Sequence, residues 1–150
     1  PHVAVATISG ASIANVDFGY RGSSSVSDTI YFDANNDGDQ DAGEVGLLGI
    51  DITARWAGDD GVLDTSDDLV LTTTTDANGN YSFTDLFSGE YRVDVDQTDL
   101  PAGVAATPTS GGSGSNLSVG ADPFILSGST ALGIGEDRTT VEFGYTGTGS

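Results

Sequence analysis

The chain has 150 residues, 23 acids against four Arg, and a formal net charge of -19. That balance excludes a nucleic-acid partner, because phosphate binding needs Lys and Arg that are absent. With no Cys, and with His2 as the single histidine, disulfides, thiolate nucleophiles, zinc sites and His-based triads are excluded as well.

In chain order, Val26 to Phe32 alternates apolar and polar residues, the period of a β-strand. The next twelve residues, Asp33 to Glu44, fit the calcium-loop pattern D-x-[DN]-x-[DN]-G-x5-E at every fixed position. In that pattern oxygens come from Asp33, Asn35, Asp37, the backbone carbonyl of Asp39, Asp41 directly or through water, and both carboxylate oxygens of Glu44. Gly38 makes the sharp turn. A merely solvated acidic turn gives no reason for acids at alternate positions or for the longer Glu at the twelfth. Leu48 to Trp56 alternates again, so the loop joins two strands and not the two helices of a sensor. An ion here is expected to fix a rigid inter-strand crossing.

A second acidic loop follows Trp56 and holds Asp59, Asp60, Asp64, Asp67 and Asp68. Carboxylates this dense repel one another unless solvated or metal-bound, so a second calcium is expected there, from a less diagnostic spacing. Asp64-Thr65-Ser66 superficially matches an aspartic-protease triplet, but Asp67 replaces the usual Gly and there is no second copy. A glycosidase pair would need a cleft that no large lobe is present to build, and the acids already have a metal-binding explanation. The chain is therefore not read as an enzyme. Trp56 is expected to pack at the core or sheet edge, with a sugar platform as the alternative.

Leu69 to Thr75 and Asn80 to Thr84 flank Asp76-Ala77-Asn78-Gly79, and Asn-Gly between β-rich runs predicts a hairpin. Tyr81 and Phe83 should share a face. Tyr91, Val93 and Val95 continue the alternation until Pro101, with Asp94, Asp96 and Asp99 on the wet side. Ala105 to Thr107, Leu117 to Val119 and Phe124 to Leu126 are weaker strands around the Gly/Ser-rich run Ser110 to Ser115. Gly111 to Asn116 resembles half of a nonapeptide calcium repeat, but it occurs once and lacks the Asp, so it reads as a flexible loop.

Near the start, Asn15-Val16-Asp17-Phe18-Gly19-Tyr20-Arg21-Gly22-Ser23 matches Thr140-Val141-Glu142-Phe143-Gly144-Tyr145-Thr146-Gly147-Thr148 near the end, with Tyr20 and Tyr145 125 residues apart. A tandem array cut slightly out of phase gives such an echo. Residues 1–22 then read as the closing strand of a preceding module, or as a donor strand for a neighbour, and residues 23–148 as one whole repeat. Opening at Pro1, the chain reads as a piece of something longer.

With 22 Gly and no long helical period, the class is all-β, most simply a two-sheet sandwich. Val, Leu, Ile and Phe make up 35 of the 150 residues, so the core is thin for so acidic a chain. Bound calcium would offset the self-repulsion. Of the 23 acids, 12 fall between Asp28 and Asp68, which favours ion sites over an acidic coat of the salt-adapted kind. No 18-residue apolar stretch and no signal peptide are present, and calcium loops of moderate affinity fill where calcium is abundant, outside the cell.

Ser27 to Gly38, Gly43-Glu44, Gly49-Ile50, Thr75 to Phe83, Gly89-Glu90-Tyr91 and Val141 to Tyr145 together resemble the calcium-binding B repeats of serine-aspartate-repeat (SdrD-type) bacterial surface proteins. The resemblance covers residues 23–148 with the segments in family order. It implies a Greek-key β-sandwich of the Cna-B/prealbumin-like kind, up to two or three Ca2+ ions, and a stalk role in a secreted or wall-attached adhesin. Asp33, Asn35, Asp37, Asp39 and Glu44 match the family's calcium loop. The Asp59 to Asp68 loop looks like an insertion common in such repeats. Related Cna-B domains often carry a Lys-Asn cross-link, which a chain without Lys cannot form. The expected function is a calcium-stiffened structural repeat whose partners are neighbouring repeats or identical subunits, with no membrane insertion. Alternatives are a fibre subunit assembled by strand addition through residues 1–20, and a glycan-binding module.

Overall fold

The computed structural model describes residues 19–109 and 122–149. Among them the chain forms nine strands and two short 3-10 turns, Gln97–Asp99 and Gly128–Thr130. The strands are β1 (Ser24–Phe32), β2 (Asp51–Trp56), β3 (Leu69–Thr74), β4 (Asn80–Leu86), β5 (Tyr91–Val95), β6 (Val104–Pro108), β7 (Phe124–Leu126), β8 (Asp137–Arg138) and β9 (Phe143–Gly147). One sheet runs β4-β1-β9-β6, with β8 also beside β1, and the other runs β3-β2-β5-β7. The all-β two-sheet sandwich is as expected.

Period-two patterning places the core between the sheets. Val26 and Ile30 of β1, Tyr81, Phe83 and Leu86 of β4, and Phe143 and Tyr145 of β9 meet Ile52 and Ala54 of β2, Tyr91, Val93 and Val95 of β5, and Leu126 of β7. Tyr81 and Phe83 share a face, their rings 6.0 Å apart edge to face. The thin aliphatic inventory is supplemented by tyrosines: Tyr31, Tyr91 and Tyr145 are among the largest fully buried side chains.

β1 pairs with β4 and β9 in one sheet, whereas β2 pairs with β3 and β5 in the other. The Asp33 to Glu44 loop thus lies on the connection between two strands, as its flanks predict, and the structure puts those strands in different sheets. The second strand begins later than its alternation suggested. Gly49 adopts φ 78° and Leu48 is 66% exposed, so a turn occupies Leu48-Gly49 before β2 starts.

The predicted Asn-Gly hairpin does not form. β3 pairs with β2 and β4 pairs with β1, so Asp76 to Gly79 is a corner between sheets. Two local causes decide this. Asp76 Oδ1 accepts the N–H groups of Asn78 (2.8 Å) and Asn80 (2.9 Å), closing an Asx turn in place of a two-residue hairpin turn. Gly79, at φ 79°, is pressed against β1 so closely that a Cβ would lie 2.2 Å from the Ile30 carbonyl oxygen. β8 and the two 3-10 turns had no signal in the alternation. Residues 1–18, the strand expected at Leu117 to Val119 and the loop expected at Gly111 to Asn116 lie outside the described residues.

Candidate metal-binding loops

Asp33, the first residue of the calcium pattern, directly follows β1 and is fully buried. Its Oδ1 accepts the N–H of Asn36 (2.6 Å) and Asp37 (3.2 Å), and its Oδ2 accepts that of Gly38 (2.8 Å). The turn needs left-handed backbone twice, at Asn36 (φ 59°) and Gly38 (φ 82°). At the other end Glu44 Oε1 accepts from Ala34 N (2.7 Å) and Oε2 from Asp41 N (3.0 Å). Both ends of the loop are therefore tied through one carboxylate. Asn35 Nδ2 donates to Asp37 Oδ2 (2.8 Å) and Asp41 Oδ2 (3.0 Å), and Asp39 N donates to Asp37 Oδ1 (3.0 Å). The side chains of Asn35, Asp37 and Asp41 have come together, with an amide lying between two carboxylates.

The donor set is all oxygen, which suits a hard cation such as Ca2+. The ion pairs of the four arginines involve Asp64, Asp68, Asp85 and Glu136 and reach neither Asp33 nor Glu44. Among the described residues, no three Asp, Glu or His side chains converge closely enough to hold a metal ion. In the first loop the carboxylates point at backbone N–H groups and at the Asn35 amide. The residue types and the loop's closure fit calcium, and the side chains would have to turn inward to bind it.

The second loop is organised differently. Asp67 Oδ2 accepts from Asp59 N (2.9 Å) and Asp60 N (3.3 Å), and its Oδ1 from the Thr65 hydroxyl (2.7 Å). Asp68 Oδ2 accepts from Asp64 N (2.7 Å) and lies 3.4 Å from Arg55 Nη1. Asp64 takes Arg92 Nη1 at 2.9 Å and Arg55 Nε at 3.7 Å. Thr65 hydrogen bonds hold the Asp67 carboxyl below the ordinary range. Desolvation pushes Asp68 upward, but the Asp64 N–H, Thr65 and Arg55 together outweigh it and leave Asp68 lowered too. Two of the four arginines are thus spent on this loop, from neighbouring strands β2 and β5. Cross-strand pairing at Arg55 and Arg92, which face each other in register, is the signal that could have revealed this.

The remaining acids have separate tasks. Asp96 caps the first 3-10 turn by accepting from Thr98 N (2.9 Å), and Asp99 Oδ2 accepts from Asp51 N (3.1 Å). Desolvation raises Asp94, with Asp122 and Asp96 adding repulsion and Arg92 opposing it. Asp122 itself is a hub that sequence reading missed, holding Val95 N (3.0 Å), Gln97 Nε2 (3.0 Å) and the Tyr145 hydroxyl (2.8 Å). Trp56 packs as expected: its ring lies 5.0 Å from that of Phe87, and Nε1 donates to Ser88 O at 3.2 Å.

Residues 24–145 match the model of the SdrD B-like domain. The chain belongs to the SdrD B-like family. It is 32% identical over 142 residues to serine-aspartate repeat-containing protein F of Staphylococcus epidermidis, which covers 93% of this chain and 7% of that protein. To serine-aspartate repeat-containing protein D of Staphylococcus aureus strain Newman it is 32% identical over 144 residues, covering 94% of this chain and 10% of the relative. The chain therefore spans a tenth or less of the length of these relatives. The fold is also that of the shaft pilin SpaA of Lactobacillus rhamnosus GG, with TM-score 0.55 at 16% identity over 83% of this chain and 51% of the pilin. The family and these relatives agree with the reading that the chain is not an enzyme. Among the described residues no helix is long and apolar enough to cross a membrane.

Proposed function

We propose that this SdrD B-like domain is a calcium-stiffened spacer in an extracellular repeat protein, at the bacterial surface or secreted. The observation that carries the calcium reading is the Asp33 to Glu44 loop. Its pattern is complete, its first carboxylate is fully buried, and Glu44 ties both of its ends. One Ca2+ is placed there, on Asp33, Asn35, Asp37, Asp41, Glu44 and the Asp39 carbonyl. A second ion at Asp59, Asp60 and Asp67 is a weaker site, because Asp64 and Asp68 already have arginine partners. When bound, calcium would neutralise charge on the crossing between the sheets. An ion that binds only the folded state adds RT ln(1 + [L]/Kd), about 2.7 kcal/mol at a hundredfold excess over Kd.

The surface location rests on the family and on its serine-aspartate repeat relatives. Tandem repetition is favoured over strand donation by the place of β9, which already lies between β1 and β6 of its own sheet. A donated strand would find no gap there and could add only at an edge. Trp56, engaged with Phe87 and Ser88, gives a glycan platform little support. Isothermal titration of the EDTA-treated protein with CaCl2 tests the reading. Heat of binding that is lost in Asp37→Asn with Asp41→Asn supports it, and an unchanged titration in that variant counts against it.

A further inference from the structure

Gly147 closes β9, yet among the described residues nothing asks for glycine there. A Cβ on it would lie 3.7 Å from the Gly103 carbonyl oxygen and from Phe32 Cζ, ordinary contact distances. Gly22 occupies the same place in the 125-residue echo, and there glycine is required. A Cβ on Gly22 would come within 1.7 Å of the Leu86 carbonyl oxygen and 2.4 Å of the Phe87 nitrogen. Gly22 N also donates to Asp85 O at 3.1 Å, and Arg21 Nη1 pairs with Asp85 Oδ2 at 3.3 Å. The segment before β1 is seated on the end of β4.

The backbone of β9 shows where Gly147 is aimed. Gly144 O accepts from Thr109 N (2.7 Å), on the β6 side, and Tyr145 O accepts from Asp33 N (2.9 Å), on the β1 side. Thr148 N donates to Gly103 O (2.7 Å), back on the β6 side. Backbone polar groups alternate sides along a strand, so the Gly147 N–H faces the β1 side, beyond the point where β1 has ended.

We propose that Gly147 is the seat of a fixed joint with a following copy of this fold, whose counterpart of the Asp85 to Phe87 segment, at the end of β4, packs on it as that segment packs on Gly22. The inference rests on the tandem reading and is independent of calcium. In the echo register β9 ends at Gly147, counterpart of Gly22, and β1 starts at Ser24, so a single residue separates one repeat's last strand from the next repeat's first. That residue, here Thr148, donates its N–H to Gly103 O of its own repeat. The joint has no free residue. Because β1 and β9 run parallel, the chain enters a module at one end and leaves at the other, and successive copies stack end to end at one angle.

The test is the 150-residue chain against a tandem chain in which a second copy of residues 24–148 follows Thr148 directly. Ser82→Cys, exposed on β4 in a chain without cysteine, carries one spin label per copy for distance measurement. The tandem should give a single narrow distance distribution, and Gly147→Val or a Gly-Ser-Gly insertion after Gly147 should broaden it. Gly147→Val in the 150-residue chain should leave the Tm unchanged, while Gly22→Val should lower it. A broad distribution in the unsubstituted tandem overturns the joint, as does a Gly147→Val loss of Tm equal to that of Gly22→Val. A second copy that fails to fold overturns the tandem reading itself, and calcium titration of the single chain remains a separate result.

Discussion

The loops from Asp33 to Glu44 and from Asp59 to Asp68 carry five acids each, yet arginines reach only the second. In the second, β2 and β5 present Arg55 and Arg92 across one register, and Thr65 with backbone N–H groups absorbs the rest. The first leaves the end of β1 and returns beside it, with Phe32 N donating to Val45 O and Tyr31 bridging Gly46, and among the described residues no arginine pairs with Asp33 or Glu44. Equal acidity therefore does not mean equal demand for metal. Position in the fold decides which loop has arginine counter-charge built in.

The sharpest way to break this comparison is at Asp33. Its carboxylate organises three backbone N–H groups and is also a proposed calcium ligand, so Asp33→Ala should cost about 3 kcal/mol even in EDTA, from the donors it strands. In calcium a further loss of about 2.7 kcal/mol is expected at a hundredfold excess over Kd. Urea unfolding in both buffers separates the two contributions. Asp37→Asn with Asp41→Asn removes charge while keeping shape, so it should abolish most of the calcium gain and leave the EDTA curve nearly in place. Equal losses in both buffers would mean the first loop is a backbone cap alone.

The second loop is tested from the opposite side. Arg55→Gln with Arg92→Gln withdraws its cations, and the loop should then depend on calcium more strongly than before. Limited proteolysis between Asp59 and Asp68 reads this: cleavage should be fast in EDTA and strongly suppressed by calcium in the variant, and only weakly suppressed by calcium in the parent. Suppression of equal size in the parent would show that this loop already relies on calcium.

Much of this was legible from residues alone. The alternating flanks placed the first loop between two strands, and Tyr81, Phe83, Tyr91, Val93 and Val95 face the core as their period-two spacing requires. What was not legible depended on pairing across the chain. The Asn78-Gly79 pair reads as a hairpin, but Asp76 closes a different turn and Gly79 is trapped against β1. Arg55 and Arg92 are 37 positions apart in sequence and become neighbours only through the β2 and β5 register. Asp122 gave no pattern at all, since its three partners come from β5, the turn after it, and β9.

Asp28 supplies a third case, a half-buried acid with neither arginine nor metal pattern, and the smallest effect. Burial raises its pKa, against the pull of the Val141 and Thr29 N–H groups. A carboxyl whose folded value lies above the ordinary 3.8 takes up its proton more readily when folded. Its charge therefore costs stability at neutral pH, and the cost fades as pH falls through the folded value and is gone below the unfolded one. Asp28→Asn should raise the Tm slightly at pH 7 in EDTA, with the gain shrinking toward pH 3.8. A gain that grows on acidification would contradict this sign.

The most direct test of the central claim is thermal unfolding followed by circular dichroism in millimolar calcium and again in EDTA. The account predicts a markedly lower Tm in EDTA, with the difference removed by Asp37→Asn and Asp41→Asn together. Superimposable melts in the two buffers would contradict it, leaving the first loop closed by its own backbone and the module stiffened by sheet hydrogen bonds alone.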